Sequence, residues 1–366
     1  MFFDMIPQKG NPRNSEGSFL ELSPGGEILF VYSAFLGDLA ADHTMADLRL
    51  IRSTDRGNTW SEPQTIVSAS TYDAMNVMSV SLISLPRGQI GLMYLVRKSW
   101  LDMYIAFQVS TDCGKTWDKP VRVNRRTSFF VVNNDRLFRT SSGRLIIPAA
   151  DHPNRLDEDG HLLFAPARTV FFYSDDDGTT WQETGTCLEL PPVISSSGLQ
   201  EPGVIELSEG VLYGWARCDL GRQMEFFSCD DGLQWTDPRP SPFTSPLSPM
   251  SMARLQDGRL IALWNPVPVN NICPQAPITM GRTPLVYALS PDDGATWSEP
   301  DILEHDPHHG YCYTAILSLE DAVLLAYCAG GQEDFGLCLN RLRIRRVPLE
   351  RLEEKPGQIR ITLPLP

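Results

Sequence analysis

The stretch STDRGNTW, residues 53–60, is written four more times along the chain. The copies are STDCGKTW (110–117), SDDDGTTW (174–181), SCDDGLQW (228–235) and SPDDGATW (290–297). The common form is S-x-D-x-G-x-[TQ]-W, marked by Asp55, Asp112, Asp176, Asp230 and Asp292 at successive spacings of 57, 64, 54 and 62 residues. About sixty residues is one four-stranded sheet with its turns, and a 366-residue chain holds about six such units. Each copy follows an alternating apolar run (DLRLIRS, DMYIAFQVS, ARTVFFYS, QMEFFS, PLVYALS), as expected of a half-buried strand entering a hairpin. Asp and Ser side chains can bond the backbone of a tight turn, Gly supplies a positive-φ position, and Trp packs over it. The repeat therefore reads as a structural rivet. Capped 3.6-period segments are missing, so few helices are expected.

Composition narrows the function classes. An apolar fraction of 42 % with 21 % charged residues is that of a globular protein with a sizeable core. A formal net charge of -14 argues against nucleic acid and anionic membrane surfaces as partners. It leaves room for a small anionic ligand, because salt screens charges beyond roughly 8 Å and a few convergent arginines can govern a pocket. No run of eighteen apolar residues occurs, and MFFDMIPQKGNPRNSEG carries no export signal, so a soluble, cytoplasmic protein is expected. The eight cysteines (Cys113, Cys187, Cys218, Cys229, Cys273, Cys312, Cys328, Cys338) form no C-x-x-C pair, which reads as buried free thiols in a reducing compartment. His305, His308 and His309 lie beside Asp306 without metal-ligand spacing, and neither a phosphate loop nor a G-x-S-x-G elbow is present. No metal and no cofactor are expected.

The five repeats resemble Asp-boxes, and the chain resembles the sialidase (neuraminidase) superfamily. That resemblance implies an all-β fold, a six-bladed β-propeller of four-stranded antiparallel blades filling residues 1–366 as a single domain. The blade without a box would combine the segments 311–328 and 337–347 with an N-terminal strand. It also implies an exo-sialidase-like retaining glycosidase acting on sialic acid-containing glycans or related acidic sugars. A sialic acid carries a carboxylate on its anomeric carbon. The chemistry therefore asks for arginines, for a nucleophile adding no negative charge, and for an acid for the leaving group. A tyrosine backed by a glutamate base meets the second demand, unlike the usual pair of carboxylates.

Residues can be carried over motif by motif. EPGVIELSEGVLYGWAR (201–217) is similar to the family's E-P-x-V-[IL]-E segment and implies Glu201 as base and Arg217 as carboxylate binder, with Glu206 structural. Arg282, ahead of the strand entering the last box, matches another triad arginine. The F-R-I-P box is absent; Arg13 in NPRNSEGSFLEL stands in its place and would complete the triad, with Arg136 in VVNNDRLF as the alternative. In HGYCYTAIL, Tyr313 is taken as the phenol and Tyr311, two residues earlier and so on the same strand face, as the alternative. Asp42 and Asp47 reproduce a family spacing that implies Asp42 as acid/base, with His43 beside it. Asn134, Asp135 and Arg136, and secondarily Asn76, Ser79, Asn133, Asp151, His152 and Arg155, lie at inner-strand positions where a propeller binds ligand. VYSAF (31–35) stands where many sialidases place a charged D-x-R element. A deaminated nonulosonic acid or a uronic acid thus remains open as substrate. Action on another acidic glycan by hydrolysis or elimination, and a non-catalytic carbohydrate-binding propeller, are the alternatives.

Overall fold

The computed structural model describes residues 2–268, 278–352 and 359–361, so Cys273 lies outside the described residues. It is an all-β protein in which only short 3-10 turns interrupt the strands. The chain runs as successive antiparallel meanders. The first is Gly10–Glu21, Ile28–Gly37, Ala46–Ser53 and Gln64–Val67. Next come Asn76–Ser84, Ile90–Arg97, Met103–Ser110 and Val121–Arg122. The meander after that is built on Phe129–Val131, Leu145–His152, Arg168–Ser174 and Gln182–Leu188. A parallel bridge between Phe129 and Met103 merges it with its predecessor into one nine-stranded sheet. Then follow Gln200–Glu206, Leu212–Arg217, Arg222–Ser228 and Arg239–Thr244, and after them Ser251–Arg254, Leu260–Trp264, Leu285–Ser290 and Asp301–Glu304. The final sheet combines Cys312–Ser318, Ala322–Cys328 and Leu342–Pro348 with the N-terminal strand Phe2–Met5, the latter pairing Phe2 with Arg345.

Apolar side chains fill the spaces between neighbouring meanders. Leu29, Leu50 and Val31 pack on Leu92 and Tyr94 of the next sheet, and Phe171 packs on Phe226 and Trp235. Phe30 and Ile51 of the first meander pack with Leu324, Ala326 and Ile344 of the last. The first strand of each meander faces inward. Gly10–Glu21 touches both Asn76–Ser84 and Cys312–Ser318, and Ser251–Arg254 touches both Gln200–Glu206 and Cys312–Ser318.

The repeated turns use their residues alike. In each copy the Ser hydroxyl donates to Asp Oδ1 at 2.8–3.0 Å and accepts the Gly N–H at 2.8–3.0 Å. The residue before Trp donates its N–H to the same carboxylate. Hydrogen bonds from Thr59 and Thr116 hold Asp55 and Asp112 down at about 2. The left-handed backbone is shared by two residues rather than Gly alone. Arg56, Cys113, Asp177, Asp231 and Asp293 all have φ of 55–61° before their glycines.

Among the described residues the cysteines are free. Cys218, Cys312, Cys328 and Cys338 are buried, whereas Cys113, Cys187 and Cys229 are exposed, contrary to the expectation that all are buried. Cys113 and Cys229 are turn positions x of the repeat, whose side chains point to water. No described helix is long and apolar enough to cross a membrane.

Ser174 is a direct test of the rivet. Ser174→Ala leaves the buried Gly178 N–H without its acceptor, so a loss of about 1–3 kcal/mol is expected. Urea midpoints for variant and parent measure it, and coincident curves would show that the turn contributes nothing.

Candidate active site

Regular strands alternate their side chains, so a single strand cannot put neighbours of one face and the other into the same cavity. The inner strands escape this rule by β-bulges. Register shifts between Ser15 and Ser18, Met78 and Ser81, Gln200 and Gly203, and Cys312 and Ala315 each contain one non-glycine left-handed residue. These are Glu16, Ser79, Glu201 and Tyr313, with φ of 56°, 56°, 47° and 59°. All four line one cavity of about 210 Å³, together with Asp42, Arg97 and Arg217 and a wall of Met78, Trp100, Met103, Phe129 and Val131.

At its centre the Tyr313 hydroxyl donates to Glu201 Oε1 at 3.2 Å, and Arg217 Nη2 donates to the same oxygen at 3.0 Å. Arg282 Cζ lies 5.2 Å from the Tyr313 ring centroid, and its Nη1 donates to Cys312 Sγ. Burial, then the negative charge of Glu201, push the Tyr313 phenol well up from its ordinary value, against the pull of Arg217 and Arg282. Arg13 donates to Glu16 Oε1 at 2.8 Å and to Asp42 Oδ1 at 2.5 Å, and Ser79 Oγ donates to the other Glu16 oxygen. The Asp42 carbonyl oxygen accepts from Asn76 Nδ2 and Arg97 Nη1. Arg97 lies beside the stacked pair of Trp100 and Phe129, each ring centroid 5.1 Å from its Cζ. His152 lines the same cavity, and burial pushes it down to about 4, so it is neutral there.

The structure thus brings Tyr313, Glu201, Asp42, Arg13, Arg217 and Arg282 together. Other candidates drawn from the sequence lie elsewhere. Tyr311 is buried against Tyr327 in an apolar cluster, because the bulge at Tyr313 breaks the alternation that would have set both phenols on one face. Asn134, Asp135 and Arg136 tie inner strands together, although Asn134 Oδ1 and Arg136 Nε find no partner. Asn134 Nδ2 donates to Gly17 O and Tyr313 O, Asp135 accepts from Ser18 Oγ and Ile316 N, and Arg136 donates to Met250 O. His43 is exposed beside Trp100, with ring centroids 6.0 Å apart. Asp47 accepts from Ser68 and Ala69, Glu206 from Ser141, and Asp151 is enclosed by Ser128, Arg126 and Arg168. Arg155 is exposed on the short hairpin strand Arg155–Leu156.

Sequence reasoning missed Glu16 and Arg97. The string around Glu16 shows a polar interruption: Arg13, Asn14, Ser15 and Glu16 form an unbroken polar run inside a strand that is buried along most of its length, whereas nothing local marks Arg97. A larger open cavity of about 890 Å³ lies by the repeat turns, but its Glu206 and Asp293 already serve Ser141, Ser208 and Arg254. The one described cluster with metal-ligating geometry is His309, Glu333 and Asp334. The Arg341 guanidinium donates to Glu333 and Asp334 at 3.1 and 2.9 Å, so a cation already neutralises these oxygens.

Burial pushes the Glu16 carboxyl up to about 7 despite Arg13, so the folded protein binds a proton there that the unfolded chain has released above its usual carboxylate value. The stabilising effect of that proton is present at low pH and lost as pH rises toward 7. Glu16→Gln should therefore gain stability relative to the parent between pH 4.5 and 7. Denaturation midpoints measured across that range check this, and a constant difference would contradict it.

The profile of the family described as BNR repeat-like domain matches residues 26–325. Mouse Sialidase-4 is 28 % identical over 135 residues, covering 34 % of this chain and only 27 % of the mouse protein. Among solved structures, the Hadza microbial sialidase Hz136 superposes with a TM-score of 0.70 at 17 % identity, over 93 % of this chain and 66 % of that one. Trypanosoma rangeli sialidase, solved with 2,3-difluorosialic acid as a covalent intermediate, superposes with a TM-score of 0.66 at 17 % identity, over 94 % and 59 %. At such identities the structural likeness is one of fold. Since the family profile runs through most of the meanders that build the cavity, the chain belongs to the BNR repeat-like domain family, within the sialidase superfamily.

Proposed function

We propose that this protein is a retaining exo-α-sialidase-like glycoside hydrolase built on a six-bladed propeller, releasing terminal sialic or related nonulosonic acids. The observation that carries the reading is the Tyr313–Glu201–Arg217 chain, a buried phenol on a carboxylate that an arginine also holds. A binding propeller has use for arginines but none for a base-backed phenol. The packing of first and last meanders supports ring closure. The covalent complex of the Trypanosoma rangeli relative supports a covalent route.

In this reading Arg13, Arg217 and Arg282 hold the sugar carboxylate. The Tyr313 oxygen attacks the anomeric carbon while its proton passes to Glu201, and the bond to the leaving oxygen breaks as that oxygen takes a proton from Asp42. Water, giving its proton to Asp42, then attacks the anomeric carbon, and Tyr313 departs and recovers its proton from Glu201. Because the phenol is held well above neutrality, it does not ionise ahead of attack, and proton transfer to Glu201 accompanies bond formation. No cofactor enters any step.

Hydrolysis of an aryl α-sialoside, beside its deaminated analogue and an aryl glucuronide, tests the class. Release from a sialoside is expected, and silence on all three with folded protein would sink the reading. Tyr313→Phe should lose about three orders of magnitude or more in kcat while keeping carboxylate binding, whereas Arg217→Ala should weaken both. A Phe variant turning over like the parent would remove Tyr313 from the nucleophile's role.

A further inference from the structure

The three arginines of the site are not equally free. Nε of Arg217 and Nε of Arg282 are buried without a partner. Arg13, 1 % exposed, has four of its five N–H donors engaged: Nε on Ser15 Oγ, one of Nη2 on Glu16, and both of Nη1 on Ala40 O and Asp42. The Phe35 ring covers the guanidinium face, 4.2 Å from Cζ. A sugar carboxylate can therefore grip Arg13 with two hydrogen bonds only by taking the place of another acceptor. Glu16 is 5 % exposed in its side chain and fixed by Ser79, but the Asp42 side chain is 54 % exposed. Its main chain is anchored, with the carbonyl held at 2.6 Å by Asn76 and 2.7 Å by Arg97, so the carboxylate can turn about its own side-chain bonds while the loop stays in place.

We infer that Asp42 is a ligand-displaced latch on Arg13: the incoming sugar carboxylate takes its place on the guanidinium, and the freed Asp42 becomes the proton donor. This rests on the hydrolase reading above. The exchange replaces one carboxylate on Arg13 by another, so the charge beside Arg13 is unchanged while the substrate gains Arg217 and Arg282. It also explains how Asp42 acts as an acid. In the free protein burial pushes its carboxyl up, but the charge and hydrogen bond of Arg13 outweigh this and hold it below the ordinary value, with help from Arg97 and Arg282. An aspartate so held is ionised at neutral pH and has no proton to give. Once Arg13 is taken by substrate, the strongest influence holding the Asp42 carboxylate ionised is gone, and desolvation, the largest effect on it, favours the protonated form against the weaker pull of Arg97 and Arg282. His43, its chain neighbour, lies tilted beside Trp100 instead. The acid is thereby armed only when an anionic sugar is seated, and a neutral glycoside leaves it closed.

Calorimetric titration with N-acetylneuraminic acid, comparing the parent with Asp42→Asn and Asp42→Ala, tests the latch. Removing a competitor should tighten binding about ten-fold in both variants. Equal or weaker binding in both overturns the latch, as would a carbon-13 titration in which the Asp42 carboxyl of the free protein behaves ordinarily and does not shift upward on saturation with the acid. Unimproved binding by variants of a parent that cleaves the aryl sialoside sinks the latch alone. Tighter binding by the variants of a parent that cleaves no acidic glycoside keeps the latch and sinks the hydrolase reading. No binding by any of the three proteins sinks both.

Discussion

A left-handed residue inside each of four inner strands decides what this molecule can do. For Glu16, Ser79, Glu201 and Tyr313 that conformation costs on the order of 1–3 kcal/mol apiece, and it persists only where the surroundings over-determine it. The surroundings here are the neighbouring inner strands and tight packing beside the bulges. A Cβ on Gly17, next to Glu16, would fall 2.1 Å from the Phe30 ring, and one on Gly203 would fall 2.3 Å from Trp215. Glycine is required at both places for the bulged backbone to sit against its sheet. Asp135 is a fifth left-handed residue facing inward, but its carboxylate binds Ser18 and Ile316 and so ties strands instead of reaching substrate. Strain concentrated at the axis is thus held by a polar hub of Asn134, Asp135 and Arg136.

Burial gives the cavity its electrostatic character in a protein of net charge -14. Arg13, Arg97, Arg217 and Arg282 meet three carboxylates, Glu16, Asp42 and Glu201, around a cavity whose walls are buried and whose mouth leaves Asp42 exposed. Guanidinium groups stay charged there because none stands alone: each has a carboxylate, a carbonyl or a thiol as acceptor. Donors left over at Arg217 and Arg282 are the opposite of a structural ion pair, whose hydrogen bonds close on themselves. A buried donor without an acceptor is costly, as at the Nε of Arg97 and Arg136 too, and in the proposed reaction the substrate's anion relieves those of Arg217 and Arg282.

The repeated turns and the groups converging on the cavity were legible in the sequence for different reasons. S-x-D-x-G-x-[TQ]-W is local chemistry, each bond spanning four residues or fewer, so the string contains its own explanation. Tyr313, Glu201 and the arginines were legible through resemblance in spacing. What periodicity could not see was the bulge. A period of two puts Tyr311 and Tyr313 on one face, and the inserted residue separates them into core and cavity. The same blindness hid Glu16, whose neighbours suggest only a polar interruption. Arg97 and the Asn134–Arg136 hub depend on contacts between distant strands, which no window of sequence contains.

The repeat says little about chemistry because of where it sits. Strand Ala46–Ser53 begins just after the Asp42 loop and ends in the first turn, and Leu285–Ser290 begins just after Arg282 and ends in the last. Arg222–Ser228 likewise starts after Arg217 and runs into the turn at Asp230. Six to eight residues at about 3.3 Å each place roughly 20–26 Å between the two ends. One end of each of five meanders is pinned by the same kind of rivet, which leaves the opposite end free to vary in sequence. There the elements differ: Tyr313 and Glu201 stand on inner strands fixed from both sides, whereas Asp42 stands on a loop whose side chain is free to turn. In the proposed reaction the nucleophile and its base gain from rigidity, since attack requires a set geometry. The proposed acid, which changes partners when substrate arrives, needs the opposite, and one cavity holds both kinds of residue.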